Sequence, residues 1–95
     1  MIGAIGRGTL RAAGQPGFDA LLEEWARGVR SEFGDVVQYI GRAHGDAGQI
    51  VVIVLFPEEA TFQRFSQQPP DRWAQTILQH MEGGMQWEEV NVEQV

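Results

Sequence analysis

The sequence predicts an α+β domain whose strands and helices follow the order β-α-β-β-α-β. Three observations carry that prediction. Phe18 to Phe33 repeats apolar residues at helical spacing. The turn-forming tetrapeptide Gly45-Asp46-Ala47-Gly48 separates two strand-like runs. The second of those runs, Gln49 to Phe56, is apolar on both faces, as a strand covered on both sides would be.

The first strand is expected over Ile2 to Arg11. Ile2, Ala4, Gly6, Gly8 and Leu10 share one face; Gly3, Ile5, Arg7, Thr9 and Arg11 share the other. Its glycines weaken the strand but let another group approach closely. Ala12 to Gly17 reads as a turn. The following helix buries Phe18, Leu21, Leu22, Trp25, Ala26, Val29 and Phe33, and Gly34 stops it. Asp35 to His44 is the second strand, and Gln49 to Phe56 the third. Pro57-Glu58-Glu59 opens a second helix whose inner side is Phe62 and Phe65. Pro69-Pro70 interrupts it, and a further helical piece runs from Asp71 to Met81 with Trp73, Ile77, Leu78 and Met81 inward. Gly83-Gly84 ends that piece, and Met85 to Val95 is the last strand. Met85 and Trp87 have one parity and Val90 and Val92 the other, so a bulge is expected at Glu88-Glu89.

Right-handed crossovers between these elements put both helical segments on one face of a four-stranded antiparallel sheet, the ferredoxin-like arrangement, with strands one and three central. The other sheet face would then carry residues such as Val51, Ile53 and Leu55, or their alternates along the strand. An apolar face of that size calls for a cover, and a homodimer through the sheet face supplies it.

Composition narrows the function classes. The 95 residues suffice for one domain, and there are no cysteines, so disulfides and thiolate metal sites are excluded. His44 and His80 show no metal-ligand spacing, and no metal is expected. Seven basic residues, all arginine and scattered, face thirteen acidic ones for a net charge of -6, which speaks against nucleic acid as a partner. No apolar run spans a bilayer, and Met1 to Leu10 lacks the basic start of a signal peptide, so a cytoplasmic protein with no membrane partner is expected. Arginine without lysine, beside abundant Ala, Gly and Val, suggests a bacterial source. The Gly6-Arg7-Gly8 and His44-Gly45-Asp46-Ala47-Gly48 segments match no phosphate-binding loop.

Over nearly its whole length the chain resembles the dimeric α/β-barrel superfamily, and within it the antibiotic biosynthesis monooxygenase (ABM) domains. The resemblance lies in MIGAIGRGTLRAAGQPGFDALLEEW, GDAGQIVVIVLFPEEATFQRF and DRWAQTILQHMEGGMQWEEVNVEQV, as element lengths and apolar placement. It implies a dimeric barrel and a small-molecule site between sheet and helices. Haem-degrading members of the superfamily use an Asn, a Trp and a His at positions that carry Gly6, Phe65 and Ile77 here, so their chemistry is not expected. The cofactor-independent monooxygenases of the superfamily act on phenolic or quinone-like aromatics, and the resemblance implies such a substrate and no cofactor.

A site for that chemistry must bind an aromatic ring, remove a proton and steady an oxyanion. His80 is the expected base and Arg7 the expected anion stabiliser. Tyr39, Phe62, Phe65, Trp73 and Ile77 are the expected substrate-binding residues. Each also has a plainer reading. His80 suits a helix end, Trp73 and the phenylalanines suit a core, Tyr39 suits a sheet rim, and Arg7 suits an ion pair with Glu88, Glu89 or Glu93 on the neighbouring strand. The rival function is a non-enzymatic dimeric module that binds a small apolar ligand, only supports assembly, or has a stress-related role.

Overall fold

Alternation of side chains along β1 (Ile2–Leu10) sets up the whole molecule. In a computed structural model, which describes residues 1–11, 17–68 and 72–95 (without the side chains of Ala47 and residues 72–74), the element order is β1, α1 (Phe18–Phe33), β2 (Val37–Ala43), β3 (Asp46–Phe56), α2 (Glu59–Gln67), α3 (Arg72–Gln79) and β4 (Met81–Asn91). The turn expected over Ala12 to Gly17 and the Pro69-Pro70 interruption fall almost wholly outside the described residues. One antiparallel sheet has the order β2-β3-β1-β4, with β1 and β3 central as expected.

The even-numbered residues of the two central strands face the helices. Ala4, Leu10, Ile50, Val52, Val54 and Phe56 are all buried there. Helix α1 presents Phe18, Leu22, Trp25, Ala26, Val29 and Phe33, the stripe its spacing predicts, and Gly34 ends it with φ 76°. Phe56, wholly buried, meets the rings of Phe33, Phe62 and Phe65 at centroid distances of 6.0, 5.9 and 5.1 Å, so strand, α1 and α2 share one aromatic contact.

The hairpin between β2 and β3 is tighter than expected. Ala43 pairs Asp46, so His44 and Gly45 alone make the turn, with Gly45 at φ 85°. Asp46-Ala47-Gly48 already belongs to β3. The register shifts between Arg42 and Ala43, and Asp46 Oδ1 accepts the Gly48 N–H at 3.1 Å, which holds the extra residues in place.

The last strand corrects two further expectations. Helix α3 stops at Gln79, so Met81 is the first residue of β4 rather than the last of a helix. The break in register lies opposite Gly8 and Thr9, at Gly83-Gly84, and not at Glu88-Glu89. Both glycines have positive φ, 74° and 75°, which only they take without strain. Beyond them the alternation is unbroken: Met85, Trp87 and Glu89 share the helix side with Gly8, Gly6 and Ala4, while Val90 pairs Gly3 on the far side. The two parities need no bulge to reconcile them, because both faces of this sheet are apolar.

That far side carries Ile5, Val51, Ile53, Leu55 and Val90, flanked by Tyr39 opposite Ile53. On it Leu55 is buried, Ile5, Val51, Ile53 and Val90 are half-buried, and Tyr39 is 61 % exposed. No described helix is long and apolar enough to cross a membrane.

Candidate functional site

Small residues on the sheet and a gap between helices leave a space on the covered side. A cavity of about 400 Å³ opens between α1, α2, α3 and the sheet. Helix α1 gives it Leu22, Trp25, Gly28, Val29, Glu32 and Phe33, successive positions along one stripe. Phe62, Phe65 and Ser66 come from α2, Gln68 from just beyond it, and Ile77 and Leu78 from α3. The sheet contributes Ala4, Val52, Met85, Trp87 and Glu89.

Trp87 is shaped by its neighbour across β1. It pairs with Gly6, and a Cβ on Gly6 would lie 2.7 Å from the Trp87 ring. The indole therefore lies over the bare strand, while about half of it stays exposed. Glu89, two residues on, stands opposite Ala4 in the same way. Near the end of α1, Glu32 Oε1 accepts a 2.5 Å hydrogen bond from Gln68 Nε2, which links α1 to the end of α2. The wall is thus largely aromatic and aliphatic, with Glu32, Ser66, Gln68 and Glu89 as its polar members. Among the described residues, no three His, Asp or Glu side chains cluster as metal ligands.

The residues singled out from the sequence do not all meet here. Phe62, Phe65 and Ile77 line the cavity. Trp73 belongs to α3, but its side chain lies outside the described residues. Arg7 and Tyr39 stand on the far face of the sheet, since both pair with odd-numbered positions of β3. Arg7 makes the expected contact with Glu88, at 3.8 Å between two exposed side chains. His80 follows α3 and packs edge-on against Phe18, with ring centroids 5.8 Å apart and planes at 79°. Its backbone N–H donates to the Ile77 carbonyl, and its carbonyl accepts the Arg11 N–H. The expectation that Arg7, Tyr39 and His80 share one pocket with the phenylalanines is therefore corrected within the chain: strand parity separates the first two, and the third packs against Phe18 instead.

Trp25, Glu32, Gln68, Trp87 and Glu89 were not foreseen as lining residues. The shared parity of Met85 and Trp87 held the signal for one of them, because it placed Trp87 on Gly6's side of the sheet. Nothing in the spacing marked Glu32 or Gln68, which come together only through the packing of α2 against α1.

No known family's sequence pattern matches this chain, and no curated protein matches it. Solved structures do. An antibiotic biosynthesis monooxygenase aligns over 99 % of this chain and 100 % of its own, with a TM-score of 0.68 and 14 % identity. Two provisionally named antibiotic biosynthesis monooxygenases align with TM-scores of 0.77 at 14 % identity. The one from Caulobacter crescentus covers 98 % of this chain and 90 % of itself, and the one from Deinococcus radiodurans 100 % and 95 %. This chain has their fold. The three positions that the sequence analysis compared with haem-degrading proteins, Gly6, Phe65 and Ile77, all lie at apolar surroundings here. Trp87 overlies Gly6, while Phe65 and Ile77 are part of the cavity wall.

Proposed function

We propose that this chain is an oxygenase of a planar phenolic or quinol molecule, bound in the cavity between sheet and helices. The observation that carries the reading is the cavity itself: about 400 Å³, walled by Trp25, Phe33, Phe62, Phe65 and Trp87. That is the size and lining of a small-molecule site. The fold shared with structures named monooxygenases supports it.

The chemistry needs no separate reductant. A phenol plus dioxygen gives a quinone plus water: one oxygen atom enters the ring, the other leaves as water, and all four electrons come from the substrate. The protein's tasks are to bind the ring flat, accept the hydroxyl proton and keep water out. The flat surface falls to Trp87 and the phenylalanines. Proton acceptance falls to the carboxylates of Glu32 or Glu89, because His80 stands off the cavity wall. We further propose that two copies pack through the far sheet face, which would set the cavities on the outer sides of a shared double-sheet core.

Oxygen-electrode measurements with a panel of hydroquinones and naphthols test the reading. Uptake above the spontaneous rate, with one dioxygen per substrate, is the expected result. Glu89→Gln and Trp87→Ala should each lower it at least about tenfold, in the range of general acid–base contributions, whereas His80→Ala should retain most of it. Uptake no faster than the blank across the panel would sink the oxygenase reading. One observation favours the rival, a non-enzymatic binding module: no described lining residue is a cation that could steady an oxyanion. Tight binding of the same panel without uptake would decide for that module.

A further inference from the structure

We propose that the cavity is a charge filter: it takes neutral or cationic planar aromatics that donate a hydrogen bond outward, and turns away their carboxylated analogues. The inference rests on the cavity being the binding site and goes on to specify what enters it.

The two ionisable groups in the described wall, Glu32 and Glu89, are both carboxylates. They come from α1 and β4, two of the elements that enclose the space, so a ligand between those elements meets negative charge from both. The other polar members are the Ser66 hydroxyl and the Gln68 amide, and the Gln68 amide nitrogen is already donating to Glu32. What is left over for a ligand is mostly acceptor capacity: carboxylate oxygens, which a hydroxyl or ammonium can satisfy and a carboxylate cannot.

The described cations have contacts outside the cavity lining, apart from Arg64, which lies on a ring of the wall itself. Arg7 faces Glu88 across the far side of the sheet, Arg27 lies against Glu23 and Glu24, and Arg42 is 2.8 Å from Asp19. Arg30 donates to Gln38 and Arg11 to the Gln79 carbonyl, while Arg64 lies over the Phe33 ring. None of these arginines lines the cavity. The net charge of -6 adds a long-range field of the same sign. An anion would thus enter a half-open, largely aromatic space toward two like charges on exposed side chains, with no described cation in the wall to offset what hydration it loses.

Matched probes of one ring size test this: naphthol, naphthylmethylamine and naphthoate, titrated by calorimetry at neutral pH into the full chain. Naphthol and naphthylmethylamine should bind, and naphthoate should bind at least about tenfold more weakly. The double substitution Glu32→Gln with Glu89→Gln keeps the shape of both side chains and removes both charges. It should bring naphthoate to within about threefold of naphthol. Equal binding of all three by the unaltered chain, or discrimination that persists in the double variant, would overturn the filter while leaving the cavity as the site. Failure of all three to bind would remove the site and the filter with it.

Discussion

Gly3 and Gly6 lie three residues apart on opposite faces of the same strand, and an added methyl group would have different consequences at the two. At Gly3 a Cβ would run into the carbonyl of Val54 on the paired strand, which is backbone and cannot move aside. At Gly6 it would meet the ring of Trp87, a side chain that is about half exposed and free to swing outward. Gly3→Ala should therefore cost about 1–3 kcal/mol or more in urea-unfolding measurements, the range of overpacked cores. Gly6→Ala should cost less than about 1 kcal/mol and instead change the Trp87 emission and weaken aromatic ligands, because the wall of the cavity has been lifted. Equal stability losses at the two positions would contradict this assignment. Arg7 is a different case: its ion pair with Glu88 joins two exposed side chains, and such pairs contribute little.

At the scale of elements, α1 combines two demands. Its stripe from Phe18 to Phe33 closes the core, while Gly28 on the same helix borders the cavity with nothing within 4 Å of where its Cβ would be. Glycine inside a helix is unfavourable relative to alanine. Gly28→Ala should thus raise stability by about 0.5–1 kcal/mol in thermal or urea unfolding, while narrowing the cavity and weakening its ligands. A loss of stability would mean that the position is more crowded than its surroundings indicate. The helix was legible in the sequence to the residue, because one stripe of Phe, Leu, Trp and Val leaves little choice of face. The strand β4 was less so. Its apolar residues change parity because they serve two faces, and reading them as serving one demanded a bulge at Glu88-Glu89. The pair Gly83-Gly84, taken from the sequence as a helix stop, is where the ladder shifts. Of the site, the phenylalanines of α2 and Ile77 were legible as an inner stripe, and the cavity they border was expected from the layers. The expected chemical residues were not brought there, since which face of β1 a side chain such as Arg7 takes is a matter of parity, and which neighbour a helix-end residue such as His80 meets is a matter of packing.

For the molecule as a whole, the dimer proposed through the far sheet face is open to a direct test. Ile5, Val51, Ile53 and Val90 are each partly exposed on one face across three strands, and contiguous apolar surface of that kind marks an interaction site. Light scattering at micromolar concentration should give a mass near twice the 10.6 kDa of one chain. Ile53→Asp, at the centre of that surface, should return the single-chain mass. A single-chain mass for the unaltered protein, or a variant that still pairs, would refute assembly through this face.

The central position of β1 also governs the order in which the fold can be completed. Ile2 pairs Phe56 on one side and Asn91 on the other, and the backbones of Met1 and Val92 exchange two hydrogen bonds of 2.8 Å. The first strand thus waits for nearly ninety residues of chain before its second edge is occupied. While β4 is still being synthesised, β1 has an open edge beside its own apolar side chains, the condition under which strands pair with the wrong chain. Pairings so distant in sequence close late and slowly. Truncation before Met85 would therefore leave an aggregation-prone sheet with a bare central strand rather than a smaller version of the same fold.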